Sequence, residues 1–412
     1  MGSKPIALTI YRGYKTELKL NNHQKTLCRR HAGCARFAYN WGLQQKIREY
    51  LKTGKTPSAT KLHRKLNQLK HDQFSWMYKI SKCAPQEALR NLDKAFHHFY
   101  KRVKVGVKPG FPKFKSRKTG IGSFRLTGII RVFESKIQLP RLGMLRLKER
   151  GYLPEESERV HILSATISEK AGRWFVSLQV KEEIEVVEQT GPVVGIDVGL
   201  HRLATISDGS IIENPEALKR KEHKIQRIQK ILSRKRRGSK NYRKTLLKYQ
   251  KLHHKISNVR KDTLHKITTK LAKTKSVIGI EDLNIGGIIQ NKRLAKAMSD
   301  TSWYKFRQQL KYKTKWYGSK LVVISRFFPS SKRCSRCGKI KADLRLSQRI
   351  YKCNNCGLIL DRDINASFNL AFVAASWAET KNACQEVGGY RSFEPVPADE
   401  AGTKCFPRIS ER

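Results

Sequence analysis

Two Cys-x-x-Cys pairs constrain this chain more than any other feature. Cys334 and Cys337 are followed, 15 residues later, by Cys353 and Cys356, and Gly338 and Gly357 come directly after the two pairs. Thiolates at this spacing suit a tetrahedral site in which four sulfurs hold one Zn2+. Such an ion has no open position for water, so it is expected to be structural and to fold residues 332–358 into a small ribbon. The other five of the nine cysteines, Cys28, Cys34, Cys83, Cys384 and Cys405, show no framework spacing. That distribution fits a reducing cytosol and a metal site, not a disulfide scaffold. Lys332, Arg333, Arg336, Lys339 and Lys341 predict that the ribbon touches nucleic acid.

Charge narrows the partner class. The 412 residues include 86 Lys and Arg against 33 Asp and Glu, a net charge of +53. Hydrophobic residues make up 39%, enough for cores in two or three modules, so this is not a disordered basic tail. A basic surface kept only for solubility needs a charge of about 2 to 8. Self-repulsion on the observed scale calls for a polyanion, and each phosphate neutralised releases counterions, giving strong, salt-sensitive binding. Nucleic acid is therefore the expected partner. A membrane role is not expected, because no apolar run reaches the roughly 20 residues of a span. Met1–Leu20 lacks the continuous apolar core of a signal peptide, so a cytoplasmic protein is expected.

Along the chain, residues 5–20 read as two short strands: Ile6, Leu8 and Ile10 alternate, a turn follows at Arg12-Gly13-Tyr14, then come Leu18 and Leu20. A helix from about Gln24 gathers Leu27, Cys34, Phe37, Ala38, Trp41 and Leu43 on one face, and another spans about Gln86–Val103. The Gly/Pro/Lys stretch Gly106–Lys118 ends this module. Strands return at Ser123–Phe133, Lys136–Leu147, Arg159–Ser168 and Arg173–Lys181, predicting a helical block inserted into a small β-barrel. Acidic Glu182–Glu188 with Gly191-Pro192 marks a boundary. Beyond it come an apolar strand, Val193–Val198, and a hairpin through Leu203–Ile206 and Ser210–Ile212. Pro215–Lys275 reads as two helices around Gly238-Ser239, with 22 Lys and Arg against 3 acidic residues. An apolar stripe through Ile225, Ile228, Leu252, Ile256 and Leu271 makes it a folded hairpin whose basic face meets nucleic acid, rather than a solvated charge run. A strand at Val277–Glu281, a helix near Ser302–Tyr317, a strand at Leu321–Arg326 and a final helix to about Trp377 complete the pattern. Ala378–Arg412 reads as a loosely ordered tail.

Three carboxylates stand at the ends of apolar elements. Asp197 closes Val193-Val194-Gly195-Ile196 and precedes Gly199, Glu281 closes Val277-Ile278-Gly279-Ile280, and Asp363 lies where the last helix begins. A carboxylate in such a place is either salt-bridged or coordinates a cation. Singly each reads as structural, but the order strand-Asp, strand-Glu, helix-start-Asp matches the ribonuclease H-like arrangement. Three carboxylates suit two Mg2+ ions, with Mn2+ as an alternative, which clamp the attacking and leaving oxygens of a phosphodiester displacement. Asp197 would bridge the ions, with Glu281 and Asp363 on either side. Asp361, in Leu360-Asp361-Arg362-Asp363, is the competing choice for the third ligand.

The motifs in their order resemble a known family. Val194-Gly195-Ile196-Asp197-Val198-Gly199, Gly279-Ile280-Glu281-Asp282-Leu283, Phe328-Pro329-Ser330-Ser331-Lys332 before the cysteine pairs, and Asp361-Arg362-Asp363-Ile364-Asn365-Ala366 resemble the split RuvC nuclease of TnpB proteins, related to type V CRISPR effectors. Tyr39-Asn40-Trp41, Phe111-Pro112-Lys113-Phe114-Lys115-Ser116, Leu139-Pro140-Arg141-Leu142-Gly143 and Asp399-Glu400-Ala401-Gly402-Thr403 extend the similarity over nearly the whole chain. The resemblance implies an α/β multidomain protein. Its parts would be a wedge β-barrel (1–22 and 106–188), a helical recognition domain (23–105), a split RuvC domain (189–331 and 359–378), a target-nucleic-acid-binding zinc ribbon (332–358) and a tail (379–412). It also implies a guide RNA transcribed from the protein's own transposable element, double-stranded target DNA cut beside a short protein-read motif, and a nucleoid-associated, prokaryotic setting. An arginine steadying the phosphate is expected, with Arg336, Arg345 and Arg349 as candidates. Rival readings are an acidic-triad strand transferase and a guide-RNA-bound regulator that does not cut. A sugar-kinase-like ATPase also begins with a strand-borne Asp-x-Gly but needs a second Gly-rich phosphate loop, which is not found.

Overall fold

The computed structural model describes residues 5–117, 120–291, 294–345 and 347–386. β1 (Ile6–Lys19) is one uninterrupted strand. The turn expected at Arg12-Gly13-Tyr14 does not form, because β7 (Arg173–Val186) pairs with β1 continuously, from Ile6 opposite Val186 to Leu18 opposite Trp174. A ladder of that length outweighs the local preference of one glycine. β7 also extends into the acidic stretch that precedes Gly191-Pro192, as far as Val186. Glu182 meets Arg12 and Glu185 meets Arg159, each at 3.1 Å, so these acids belong to the sheet.

The strand expected over Ser123–Phe133 is broken at Gly128 (φ 96°) into β2 (Ser123–Leu126) and β3 (Arg131–Phe133). The stretch Lys136–Leu147 is likewise a hairpin of β4 (Lys136–Leu139) and β5 (Gly143–Leu147), and β6 (Val160–Lys170) precedes β7. The sheet order β2-β6-β7-β1-β5-β4-β3 puts β2 and β3 at opposite edges. Yet only residues 127–130 join them, a link that reaches at most about 18 Å. Seven flat strands would hold those edges about 29 Å apart. The sheet must therefore be rolled, and Leu126, Ile137, Leu145, Ile167 and Val176 meet in one core. Between β1 and β2 come α1 (Asn22–Thr53), α2 (Ala59–Asp72), for which no element is expected from sequence, and α3 (Cys83–Lys104). α1 opens on a capping box: the Asn21 side chain accepts from the Gln24 N–H at 2.8 Å, and the Gln24 side chain accepts from the Asn21 N–H at 3.1 Å. Leu43, Leu62, Leu66 and Leu89 bury the helices against one another, continuous with the barrel core.

A second sheet has the order β10-β9-β8-β11-β12. It comprises β8 (Val194–Asp197), β9 (Arg202–Ile206), β10 (Ile211–Glu213), β11 (Val277–Glu281) and β12 (Lys320–Ile324). β8, β11 and β12 are parallel, and β9 and β10 each run antiparallel to the preceding strand. Such strands, covered on both faces, read as continuous apolar runs. On one face Ile196, Ile278 and Ile280 meet Leu264 and Leu271 of α5 (Lys240–Thr274) and Phe306 and Leu310 of α8 (Trp303–Tyr317). On the other, Val277, Val322 and Ile324 meet Leu370 and Ala374 of α9 (Arg362–Glu386). α4 (Glu222–Ser233) packs on α5 through Ile225, Leu252 and Ile256, while α6 (Ile285–Gln290) and α7 (Ala295–Thr301) follow β11.

α9 outruns its expected end at Trp377, since Trp377 and Ala378 pack on the same core as Ala374. The tail expected from Ala378 therefore begins as helix. Its remainder, with Asp399-Glu400-Ala401-Gly402-Thr403, lies outside the described residues. Among the described residues no helix is long and apolar enough to cross a membrane.

Candidate active site and zinc centre

Strand register sets out the site. In neighbouring parallel strands, Gly195 of β8 lies opposite Gly279 of β11, and Ile196 opposite Ile280. Asp197 and Glu281 follow at the two strand ends, two residues beyond the glycines and so on the same face of the sheet. That face carries α9. A Cβ on Gly195 would lie 2.1 Å from the Ser367 carbonyl oxygen, and one on Gly279 would lie 2.7 Å from that of Leu370. Glycine at both positions lets the helix backbone rest on the strands. This seating brings Asp363, in the first turn of α9, to the two strand-end acids.

The three carboxylates line one cavity of about 330 Å³, whose wall also includes Ser330, Arg349 and Arg362. Burial, and then the charges of Glu281 and Asp363, hold Asp197 well above the usual carboxylate range, against the opposing charge of Arg362. Burial also raises Glu281, opposed by the Ser330 hydroxyl that donates to Oε1. Crowded carboxylates of this kind take up protons or hard cations, and an all-oxygen donor set fits Mg2+. A larger cavity of about 750 Å³, bordered by Lys70, Tyr78, Ile129 and Arg141, has no acidic residue in its lining.

Asp361 does not line the carboxylate cavity. Its Oδ1 accepts from the N–H groups of Asp363 (2.9 Å) and Ile364 (3.3 Å), capping α9, and its Oδ2 accepts from Arg202 at 3.1 Å. Of the two aspartates left open by the sequence, Asp363 faces the cavity and Asp361 is the helix cap. Among Arg336, Arg345 and Arg349, Arg349 lines the cavity.

The ribbon follows from local geometry. Cys334 and Cys353 begin tight turns, with the Gly338 N–H donating to the Cys334 carbonyl at 3.0 Å and the Gly357 N–H to that of Cys353 at 3.2 Å. Both glycines have positive φ, 74° and 68°, which their lack of a Cβ permits. β13 (Ile350–Lys352) and β14 (Ile359–Asp361) complete the module around buried Tyr351. The Cys334 and Cys356 sulfurs stand 3.6 Å apart, as do those of Cys337 and Cys353. A tetrahedral ion with Zn–S bonds of about 2.3 Å needs about 3.8 Å, so the four cysteines fit structural zinc. Among the described residues, they are the group of potential ligands whose atoms all lie within 4.8 Å of one another.

Sequence reasoning passed over Asn365 and Asn369. Both are buried, at 0% and 3% exposure, and their amides donate to backbone carbonyls beside the first cysteine turn. Two asparagines spaced i, i+4 inside a helix are a usable signal, because asparagine is a weak helix former unless its side chain has a partner.

Three family models match segments of the chain. Residues 175–292 match a probable transposase (OrfB_IS605), 303–370 a Cas12f1-like TNB domain, and 10–55 a helix-turn-helix domain. The last span here holds most of β1 and the single helix α1, not two helices. The chain is 35% identical over 373 residues to a Streptomyces pristinaespiralis protein provisionally named an RNA-guided DNA endonuclease, covering 89% of each. It is 31% identical over 376 residues to InsQ of Escherichia coli (strain K12), which has the same provisional name, covering 87% of this chain and 90% of InsQ. It is 24% identical over 244 residues to a CRISPR-associated endodeoxyribonuclease, Cas12f1, from Sulfoacidibacillus thermotolerans, covering 55% of each. Identity on this scale along nearly nine-tenths of two chains means that the protein belongs to the TnpB (OrfB) family of insertion-sequence proteins.

Proposed function

We propose that this protein is an RNA-guided DNA endonuclease that binds a guide RNA from its own element and hydrolyses double-stranded target DNA at Asp197, Glu281 and Asp363. The meeting of those three acids in one cavity carries the reading. The sheet supports an RNase H-like (RuvC) nuclease, because the central β8 is flanked by antiparallel β9 and parallel β11 and α9 crosses the acid-bearing face. In this reading residues 1–22 and 106–188 are the wedge, 23–105 the recognition domain, 189–331 with 359–378 the nuclease, and 332–358 the target-binding ribbon.

Asp197, Glu281 and Asp363 would hold a pair of Mg2+ ions, for which Mn2+ could substitute. When bound, these ions supply the Lewis acidity for in-line attack of water on phosphorus. Three carboxylates on one cavity, all of them oxygen donors, suit a pair of such ions. Asp197, on the central strand beside both other acids, would be shared between the two ions. Arg349 offsets the charge of the reacting phosphate. Base pairing with the guide carries sequence specificity, while the protein supplies charge and shape recognition. The basic faces of α4 and α5 hold phosphate backbones.

Expressed with its native flanking DNA, the protein should copurify with RNA from that flank and cut matched DNA in Mg2+. Asp197→Ala, Glu281→Ala and Asp363→Ala should each lower cleavage to below about a thousandth of wild type while RNA and DNA binding persist. Cleavage by all three variants, or a protein free of RNA, refutes the reading. Joined DNA ends would instead identify a strand transferase, and binding without cutting by the wild type a regulator.

A further inference from the structure

The segment joining β12 to the first cysteine turn lies between the two ligand clusters and touches both. Midway along it, Ser330 is 5% exposed, and its hydroxyl donates to Glu281 Oε1. At its end, Cys334 is the first of the four ribbon sulfurs. α9 holds this stretch at Ser330, Arg333 and Ser335. Asn369 Nδ2 donates to the carbonyls of Ser330 at 2.8 Å and Arg333 at 2.7 Å. Asn365 Nδ2 donates to the same Arg333 carbonyl at 2.7 Å, and its Oδ1 accepts from the Ser335 N–H at 2.9 Å. The peptide groups on both sides of Cys334 are thus fixed to the helix that carries Asp363. The segment also bonds to itself, with the N–H groups of Lys332 and Arg333 donating to the Pro329 carbonyl at 3.0 and 2.9 Å.

We propose that Ser330 is a positioning residue for Glu281, and that Asn369 holds Ser330 in place through the same segment that carries Cys334, so the ribbon and the carboxylate cavity form one mechanical unit. The inference rests on the proposed role of Glu281 as a metal ligand. A half-buried carboxylate with one oxygen held by a buried hydroxyl has its rotamer restricted, and the other oxygen is directed with it. Groups that orient metal ligands in this way typically govern metal affinity by about 10- to 100-fold when removed. The arrangement also gives the ribbon a purpose beyond touching nucleic acid: it terminates and tightens the segment that aims Glu281.

The test uses the full chain with its copurified RNA. Four quantities are compared in wild type, Ser330→Ala, Ser330→Thr, Asn369→Ala and Glu281→Ala: bound zinc, binding of matched DNA, the Mg2+ concentration at half-maximal cleavage, and Mn2+ affinity followed by electron paramagnetic resonance. Ser330→Ala should keep its zinc and its DNA binding, yet need about tenfold more Mg2+ and bind Mn2+ about tenfold more weakly. Ser330→Thr, which retains the hydroxyl, should restore both values, and Asn369→Ala should shift them in the same direction as Ser330→Ala. Ser330→Ala removes a single oxygen, so it carries the test even if Asn369→Ala does not fold. Wild-type Mg2+ and Mn2+ values in Ser330→Ala, alongside an inactive Glu281→Ala, overturn the positioning role and leave the nuclease reading standing. Loss of zinc from Ser330→Ala overturns it in favour of a purely structural role. Undiminished cleavage by Glu281→Ala overturns both.

Discussion

The ribbon and the carboxylate cavity gather ligands on opposite plans. Four soft sulfurs come from one short stretch, residues 334–356, and their positions follow from turn hydrogen bonds within that stretch. Three hard carboxylates come from positions more than 80 residues apart in the chain, and they meet only because two strands and a helix pack. The four sulfurs of the ribbon fit a closed zinc site, from which the module would gain folding free energy. The cavity stays open and holds acids against their own repulsion, so the surrounding fold must bear that cost. A ligand set drawn from one short stretch can be nearly self-contained, whereas one drawn from distant elements must be imposed by the rest of the fold.

That contrast can be broken most forcefully at the ribbon. Cys353→Ser should release the zinc, and with it much of the roughly 10–16 kcal/mol that such sites supply. Metal analysis should find less than one zinc per chain, and thermal melting should show early loss of the module. A variant that keeps wild-type zinc and melting behaviour would mean that the ribbon is not built by its metal. At the cavity, Gly195→Ala tests whether packing alone assembles the acids. The added methyl would enter the Ser367 backbone, and overpacking against a backbone should cost about 3 kcal/mol or more. Denaturant unfolding would reveal the loss, and cleavage should fall although no acid has changed; unchanged stability would show that α9 is seated otherwise. The smallest effect is expected from Asp361→Ala. Loss of its cap should cost about 1 kcal/mol, with cleavage retained to within about tenfold of wild type. If Asp361→Ala were as inactive as Asp363→Ala, the roles given to the two aspartates would have to be exchanged.

The contrast also explains what could be read from the chain in advance. The cysteine turns, the helices α3 and α8 and the apolar strands β8 and β11 announce themselves through spacing and periodicity, which are local. The reading of β1 as two strands failed because the turn signal at Gly13 is local while its partner β7 is distant. That the acids from Glu182 belong to a strand was not legible either, because Arg12 and Arg159, which pair with that stretch, are remote in sequence. The same limit left Asp361 and Asp363 undecided, since two aspartates two residues apart look alike until one is seen to cap the helix.

By itself, the sequence determined the kinds of group on offer: four closely spaced thiols, three acids at strand ends and a helix start, and a charge of +53 that calls for a polyanion. Side-chain identity and short spacing suffice for that. Only the tertiary structure decided which acids meet, through the opposed glycines Gly195 and Gly279 and the helix resting on them. It alone tied Glu281 to the ribbon through Ser330, Asn365 and Asn369. Such contacts depend on strand register and on backbones approaching within van der Waals distance, and neither leaves a local trace in the chain.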